Sequence, residues 1–407
     1  MIPRVSGGAV RAPLAILPAG ATSETRLLLA ARGLRAVGDG FVSLLLPVYL
    51  LELGYGPFVT GIIATATLAG SALLTLLFGL YAHRASGRSL LIAAALLMVL
   101  TGIAFAALED FWPLLLVAFV GTLNPSSGDV SVFLPLEQAQ LARMVSDRDR
   151  TRLFARYSFI GSIMAAVGAL GAALPEAAAD QLGTGLRPAL QAAFLLYAGL
   201  GALALLLYRR LPQDPATAEP DPAPAKPLGR SRSIVLTLAA LFSLDAFAGG
   251  LVVQSLLALW LFERFGLSLA ATGAIFFWTG VLSALSYFAA AWIADRIGLI
   301  NTMVFTHLPA NLCLALVPFA PSLSFAIALL LVRSALSQMD VPTRTSYVMA
   351  VVAPEERAAA ASVTRCRAAW PLLRALRSPA RCWPSRVSAG RWSSPARSKP
   401  LTTSSSW

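Results

Sequence analysis

The chain has 407 residues, of which 57% are hydrophobic and only 13% charged, and its mean hydropathy is +0.71. Soluble domains carry about 25% charged residues, so no single buried core absorbs this much apolar surface and lipid must solvate part of it. The net charge of +12 does not point to nucleic acid, because residues 365–407 alone hold nine of the 32 Lys+Arg and no Asp or Glu.

In chain order, residues 1–26 read as a cytoplasmic segment. Their apolar stretch is short and broken by Pro13 and Pro18, which is unlike a signal peptide. Apolar windows then predict helical spans near 27–51, 57–80, 89–108, 112–138, 153–174 and 188–208. Residues 209–233, "RRLPQDPATAEPDPAPAKPLGRSRS", are rich in Pro and charge and read as a solvated linker. A second set of spans follows near 234–262, 268–292, 299–319 and 322–350. Several of these stretches are apolar on all faces and run about 20 residues with few charges, the length of a helix crossing about 30 Å of hydrocarbon. Barrel strands would alternate polar and apolar residues. The expectation is an all-α polytopic membrane protein of about ten transmembrane helices, two six-helix-type repeats with the second incomplete: residues 27–208, then 234–364.

The loops alternate in charge. Arg84, Arg88, Arg143, Arg148, Arg150, Arg152, Arg209, Arg210, Arg296 and Arg357 fall on one side. Glu52, Glu109, Asp110, Glu176, Asp180 and Glu263 fall on the other, with Arg187 and Arg264 as the bases there. By the positive-inside rule the first side, with the N-terminus, is cytoplasmic. Lysine is nearly absent, with Lys226 and Lys399 alone. With abundant Ala, Leu and Arg, this suggests a GC-rich bacterial gene and hence the inner (plasma) membrane.

The halves overlay at one offset. Gly54, Thr60, Gly61, Ile63, Ala82 and Arg84 match Gly266, Thr272, Gly273, Ile275, Ala294 and Arg296, each 212 positions on. Parallel repeats about an axis along the membrane normal are a recurrent plan of secondary transporters. The loop "AAWIADRIG" at 290–298 resembles the cytoplasmic signature of the major facilitator superfamily, carried here by Ala291, Asp295, Arg296 and Gly298. The equivalent loop of the first repeat, "GLYAHRASGRS", has Gly79, Arg84 and Arg88, with His83 at the acidic position and Ser86 at the glycine position. The resemblance implies a gating latch at these two loops, weakened in the first half by His83.

Inside the spans, ionisable groups ask for partners or a wet cavity. Asp39, Asp129, Asp245, Arg333, Gln338, Asp340 and Arg344 are the candidate lining of a central cavity. Asp129 lies in "LNPSSGDV", whose Pro125 and Gly128 should loosen the fourth span. Arg32 and Arg35 are expected to snorkel to the cytoplasmic end. In the fifth span, Gly161, Gly168 and Gly171 suit close helix packing.

There is no P-loop, G-x-S-x-G on a suitable scaffold or H-E-x-x-H, and His83 and His307 are far apart, so neither enzyme activity nor a cofactor or metal is expected. The chain reads as a monomeric secondary transporter of a small solute, with the proton as candidate coupling ion. The other reading is a non-transporting remnant that lacks two helices. It arises because residues 365–407 hold four of the eight Trp and two of the three Cys, where an eleventh span should begin. GC-rich codons for Ala, Leu and Gly read out of frame give Arg, Trp, Cys, Pro and Ser, so a frame slip near codon 365 is expected. Resequencing codons 355–407 and beyond should give, in another frame, two apolar runs of about 20 residues. Were every frame to lack them, the tail would stand as encoded.

Overall fold

The computed structural model describes residues 22–81, 86–126, 131–144, 147–212 and 253–339, with isolated positions between 233 and 241 and beyond 340. The tail 365–407 and most of the linker lie outside them. Among the described residues the first group of helices is α1 Ser23–Glu52, α2 Pro57–Tyr81, α3 Gly87–Ala107, α4 Phe111–Val120, α5 Phe133–Arg143, α6 Asp147–Gly171, α7 Leu174–Leu182 and α8 Leu186–Arg209. The second group is α9 Gln254–Phe265, α10 Leu269–Ile297, α11 Leu299–Leu316 and α12 Leu323–Ser337. Among the described residues seven helices are long and apolar enough to cross a membrane, and α4 and α12 are shorter apolar helices. No strand occurs among the described residues. The chain is an all-α polytopic membrane protein.

Local chemistry starts these helices where it should. The side chains of Thr22, Ser86, Ser268 and Ser322 each accept from a backbone N–H in the first turn of α1, α3, α10 and α12. Such caps satisfy one of the orphan donors of a helix N-terminus. Gly54 (φ +87°) follows α1, and Gly266 (φ +61°) follows α9. A left-handed residue after a helix favours glycine because no Cβ opposes it. These two glycines are 212 apart, so the sequence offset reappears as one backbone feature. Ser86, the N-cap of α3, and Gly298, the N-cap of α11, obey the same offset. Thr60 and Thr272, another such pair, are both buried.

The described part of the fourth span is not one helix, since α4 ends at Val120 and α5 starts at Phe133. Asn124 accepts from the backbone N–H and hydroxyl of Ser126, an Asx turn that competes with helix. The short helix α7 was not predicted. Its start carries Pro175 in the first turn and its end a left-handed Gly183, both legible signals of helix boundaries.

α1 is the most enclosed element, packed on α6, α8 and α9, while α6 also packs on α10. Glycines set the α1–α6 spacing. A Cβ on Gly40 would overlap the carbonyl of Ala165, and one on Gly168 that of Val37. Gly161 faces the Arg32 guanidinium. Gly171 has open space around it, so close packing accounts for two of the three fifth-span glycines. Outward, Val304, Phe305, Leu308 and Leu312 of α11 form an exposed apolar stripe at helical spacing, suited to lipid.

Candidate functional site

Among the described residues a buried charge cluster joins four helices of the first group. Arg35 on α1 and Glu137 on α5 are 1% and 0% exposed, with Arg35 Nη2 2.5 Å from Glu137 Oε2. Arg35 Nε donates to the Tyr208 hydroxyl at 2.9 Å. Tyr208 donates to Glu137 Oε1 at 2.6 Å, and the Tyr157 hydroxyl of α6 donates to Glu137 Oε2. The Arg35 guanidinium stacks on Phe133 with its carbon 3.9 Å from the ring centroid. Both carboxylate oxygens thus accept hydrogen bonds, and the pair is a strut between α1, α5, α6 and α8. Asp39, one turn beyond Arg35, is 4% exposed and lies in the fields of Arg35 and Arg32.

This corrects the expectation that Arg32 and Arg35 snorkel. α1 begins at Ser23 and ends at Glu52, so Arg35 and Asp39 flank its midpoint. Arg35 lies about 18 Å from the helix start at about 1.5 Å per residue, and its partner Glu137 waits inside.

A second constellation links the two groups of helices. Pro47 inside α1 has no N–H, so the carbonyl of Ser43, four residues earlier, lacks its helical donor. Ser255 of α9 supplies one, its hydroxyl lying 2.6 Å from the Ser43 oxygen and 3.1 Å from the Pro125 oxygen in the broken fourth span. The backbone N–H of Ser255 also donates to Pro125, at 3.0 Å. Gln254 Nε2 donates to the Ser43 hydroxyl at 3.0 Å. Ser43 and Ser255 are themselves 212 apart. In a two-fold repeat, equivalent residues lie twice their axial distance apart, so the offset of 212 assigns this contact a place close to the repeat axis. Nearer the face where α1 ends, Glu176 Oε2 accepts from the Leu269 N–H at 3.1 Å, placing a carboxylate on the positive end of α10. A Cβ on Gly273 would come 2.5 Å from the Ala169 oxygen, another close cross-group approach.

The remaining candidates divide. Arg333 on α12 is half-buried, and Gln338, just past α12, accepts from the Tyr287 hydroxyl at 3.0 Å. Asp129, Asp245, Asp340 and Arg344 lie outside the described residues, as do His83 and Arg84. Gly79 lies in α2, and Ala291 and Asp295 lie in α10. Arg88 donates to the Arg209 carbonyl at 2.6 Å, capping the C-terminal end of α8. Arg296 rests on Trp292, with its guanidinium carbon 3.8 Å from the ring centroid. Gly298 (φ +85°) is the joint between α10 and α11. Among the described residues no group of three or more His, Cys, Asp and Glu could hold a metal ion. Glu137, Tyr157, Tyr208 and Ser255 were not anticipated. The available signal was a glutamate inside the apolar run "VFLPLEQAQ".

Two groups of apolar helices packed on each other, with arginine and carboxyl side chains enclosed in the first group, fit a membrane transporter. The Major Facilitator Superfamily pattern matches residues 28–369, and the chain belongs to that superfamily. The uncharacterized membrane protein YJR124C of Saccharomyces cerevisiae is 25% identical over 370 residues, covering 83% of this chain and 82% of the yeast protein. Among solved structures, a bacterial homolog of the human lysosomal transporter Spinster superposes with a TM-score of 0.65 at 16% identity, over 86% of this chain and 81% of that one. A D-xylose–proton symporter gives 0.63 at 16% identity, over 86% and 88%. The human organic anion transporter MFSD10 gives 0.58 at 20% identity, over 87% and 93%. At these identities the likeness is one of fold.

Proposed function

We propose that this transporter moves a small solute by alternating access, coupled to an ion gradient, with the proton as the coupling ion. The observation that supports this most is the enclosed set of Arg32, Arg35, Asp39 and Glu137 around the middle of α1. A charge at mid-membrane costs about 2.5–3.5 kcal/mol on insertion scales, and such groups mark ion and substrate pathways. Proton coupling in the D-xylose–proton symporter, a fold neighbour, is consistent with it. The Lys/Arg asymmetry of the loops supports a cytoplasmic N-terminus in a bacterial plasma membrane, and the chain acts as a monomer.

The cross-group contacts of Ser255, Glu176 and Gly273 lie in the middle of the bundle and toward the face where α1 ends. They support a state closed on that outer face. Ser255→Ala is expected to leave the Ser43 carbonyl without a donor, at a cost of about 1–3 kcal/mol to the closed state. Spin labels at Asp110 and Glu263, both exposed on the outer side, should then report a larger population at long separation. An unchanged distance distribution counts against a gate at Ser255.

The direct test uses purified protein in proteoliposomes with an imposed pH gradient, a panel of radiolabelled small solutes and a trapped pH dye. Uptake of at least one solute should need the gradient and vanish with a protonophore. Uptake that ignores every imposed gradient would sink the coupled reading.

A further inference from the structure

Arg32 differs from the other enclosed cations. Arg35 uses its donors on Glu137 and Tyr208, while Arg88, half-buried near a helix end, donates to a carbonyl there and leaves only its Nε buried without a partner. Arg32 is 7% exposed, yet its Nε and Nη1 have no hydrogen-bond partner among the described residues. What holds it is contact of another kind. Its guanidinium carbon lies 5.2 Å from the centroid of the Tyr157 ring. It also lies against the bare backbone of Gly161, where a Cβ would come 2.7 Å from that carbon. An aromatic ring and a glycine position a guanidinium without consuming its donors. Asp39, two turns on along the same face, acts on it through space.

A buried charged donor left unsatisfied is costly, more so than a neutral one. A fold that shapes two residues of α6 around such a group gains from it when an acceptor arrives. The planar guanidinium matches oxyanions with two or more oxygens, carboxylate or phosphate. We propose that Arg32, cradled by Tyr157 and Gly161, is the contact for a carboxylate or phosphate group on the transported solute. The inference rests on the transporter reading and narrows its substrate class to small oxyanions.

The test is thermal unfolding of the full chain in detergent, titrated with benzoate, inorganic phosphate and the neutral isostere benzamide. Benzoate or phosphate should raise Tm in the wild type while benzamide leaves it alone. Arg32→Gln should raise the apparent Kd about tenfold or more, the value of one lost charge-assisted hydrogen bond. Arg32→Lys should recover part of the binding. Gly161→Ala keeps every charge but intrudes on the guanidinium, and should also weaken binding, with the ligand-free Tm of each variant as the check on folding. A shift that persists in Arg32→Gln, or no shift from either anion, overturns the proposal. So does an Arg32-dependent gain from phosphatidylglycerol over phosphatidylcholine nanodiscs without any effect of benzoate or phosphate, since the oxyanion would then be a lipid headgroup. Arg32-dependent binding without flux in proteoliposomes counts against transport alone. Flux of solutes without such binding counts against Arg32 alone.

Discussion

Glu137→Leu is expected to destabilise the protein by about 3–5 kcal/mol, because it strands the Arg35 guanidinium in the interior without its counter-charge. The same replacement removes the acceptor of the Tyr157 and Tyr208 hydroxyls. Four helices would lose their shared tie at once. The double variant Arg35→Met with Glu137→Leu should regain most of the loss, since removing both charges is far cheaper than removing one. Thermal unfolding in detergent, with the two single variants completing the cycle, measures the coupling directly. Additive losses would show that the pair is not the strut its geometry implies. The cluster's function is best tested elsewhere, because a variant that unfolds says little about transport.

Asp39 offers that test. It is enclosed beside Arg35 and Arg32 but is not a member of the hydrogen-bonded strut, so Asp39→Asn should fold. One pH unit is worth about 1.4 kcal/mol per proton, which lets one coupled proton support about tenfold accumulation of solute. Asp39→Asn is expected to bring that ratio to about one while passive equilibration of the same solute persists. Arg333→Gln, on α12, is the matched variant from the second group of helices, and the same collapse of accumulation is expected of it. Accumulation retained in Asp39→Asn would remove Asp39 from the coupling path and leave it a structural counter-ion to Arg32.

Much of the architecture was readable from the chain, for reasons that are local. Span length, the Ser and Thr caps and the left-handed Gly54 and Gly266 are each decided by a few neighbouring residues. The superfamily was readable because its loop signature recurs in both halves. Asp39 could be singled out because a carboxylate deep in an apolar helix has few uses. The strut could not be read that way. Arg35 and Glu137 are 102 positions apart, and each looks ordinary alone: an arginine near a helix start, and a glutamate near the end of a supposed span. The end of α4 at Val120 removes that second impression, since it puts Glu137 in the new helix α5. Likewise the need of the Ser43 carbonyl follows from Pro47, but the donor that meets it comes from a distant helix.

The Ser43–Ser255 contact carries a constraint that reaches back to the origin of the two halves. If they arose by duplication, each position on the axis once faced its own copy. Such isologous contacts demand a side chain complementary to itself. A lysine would meet a lysine and an aspartate an aspartate, each repelling its copy. A hydroxyl both donates and accepts, so serine can greet serine. Once fused, the copies were free to diverge, and Pro47 on one side with Leu259 on the other now fixes which serine gives the proton and which backbone receives it.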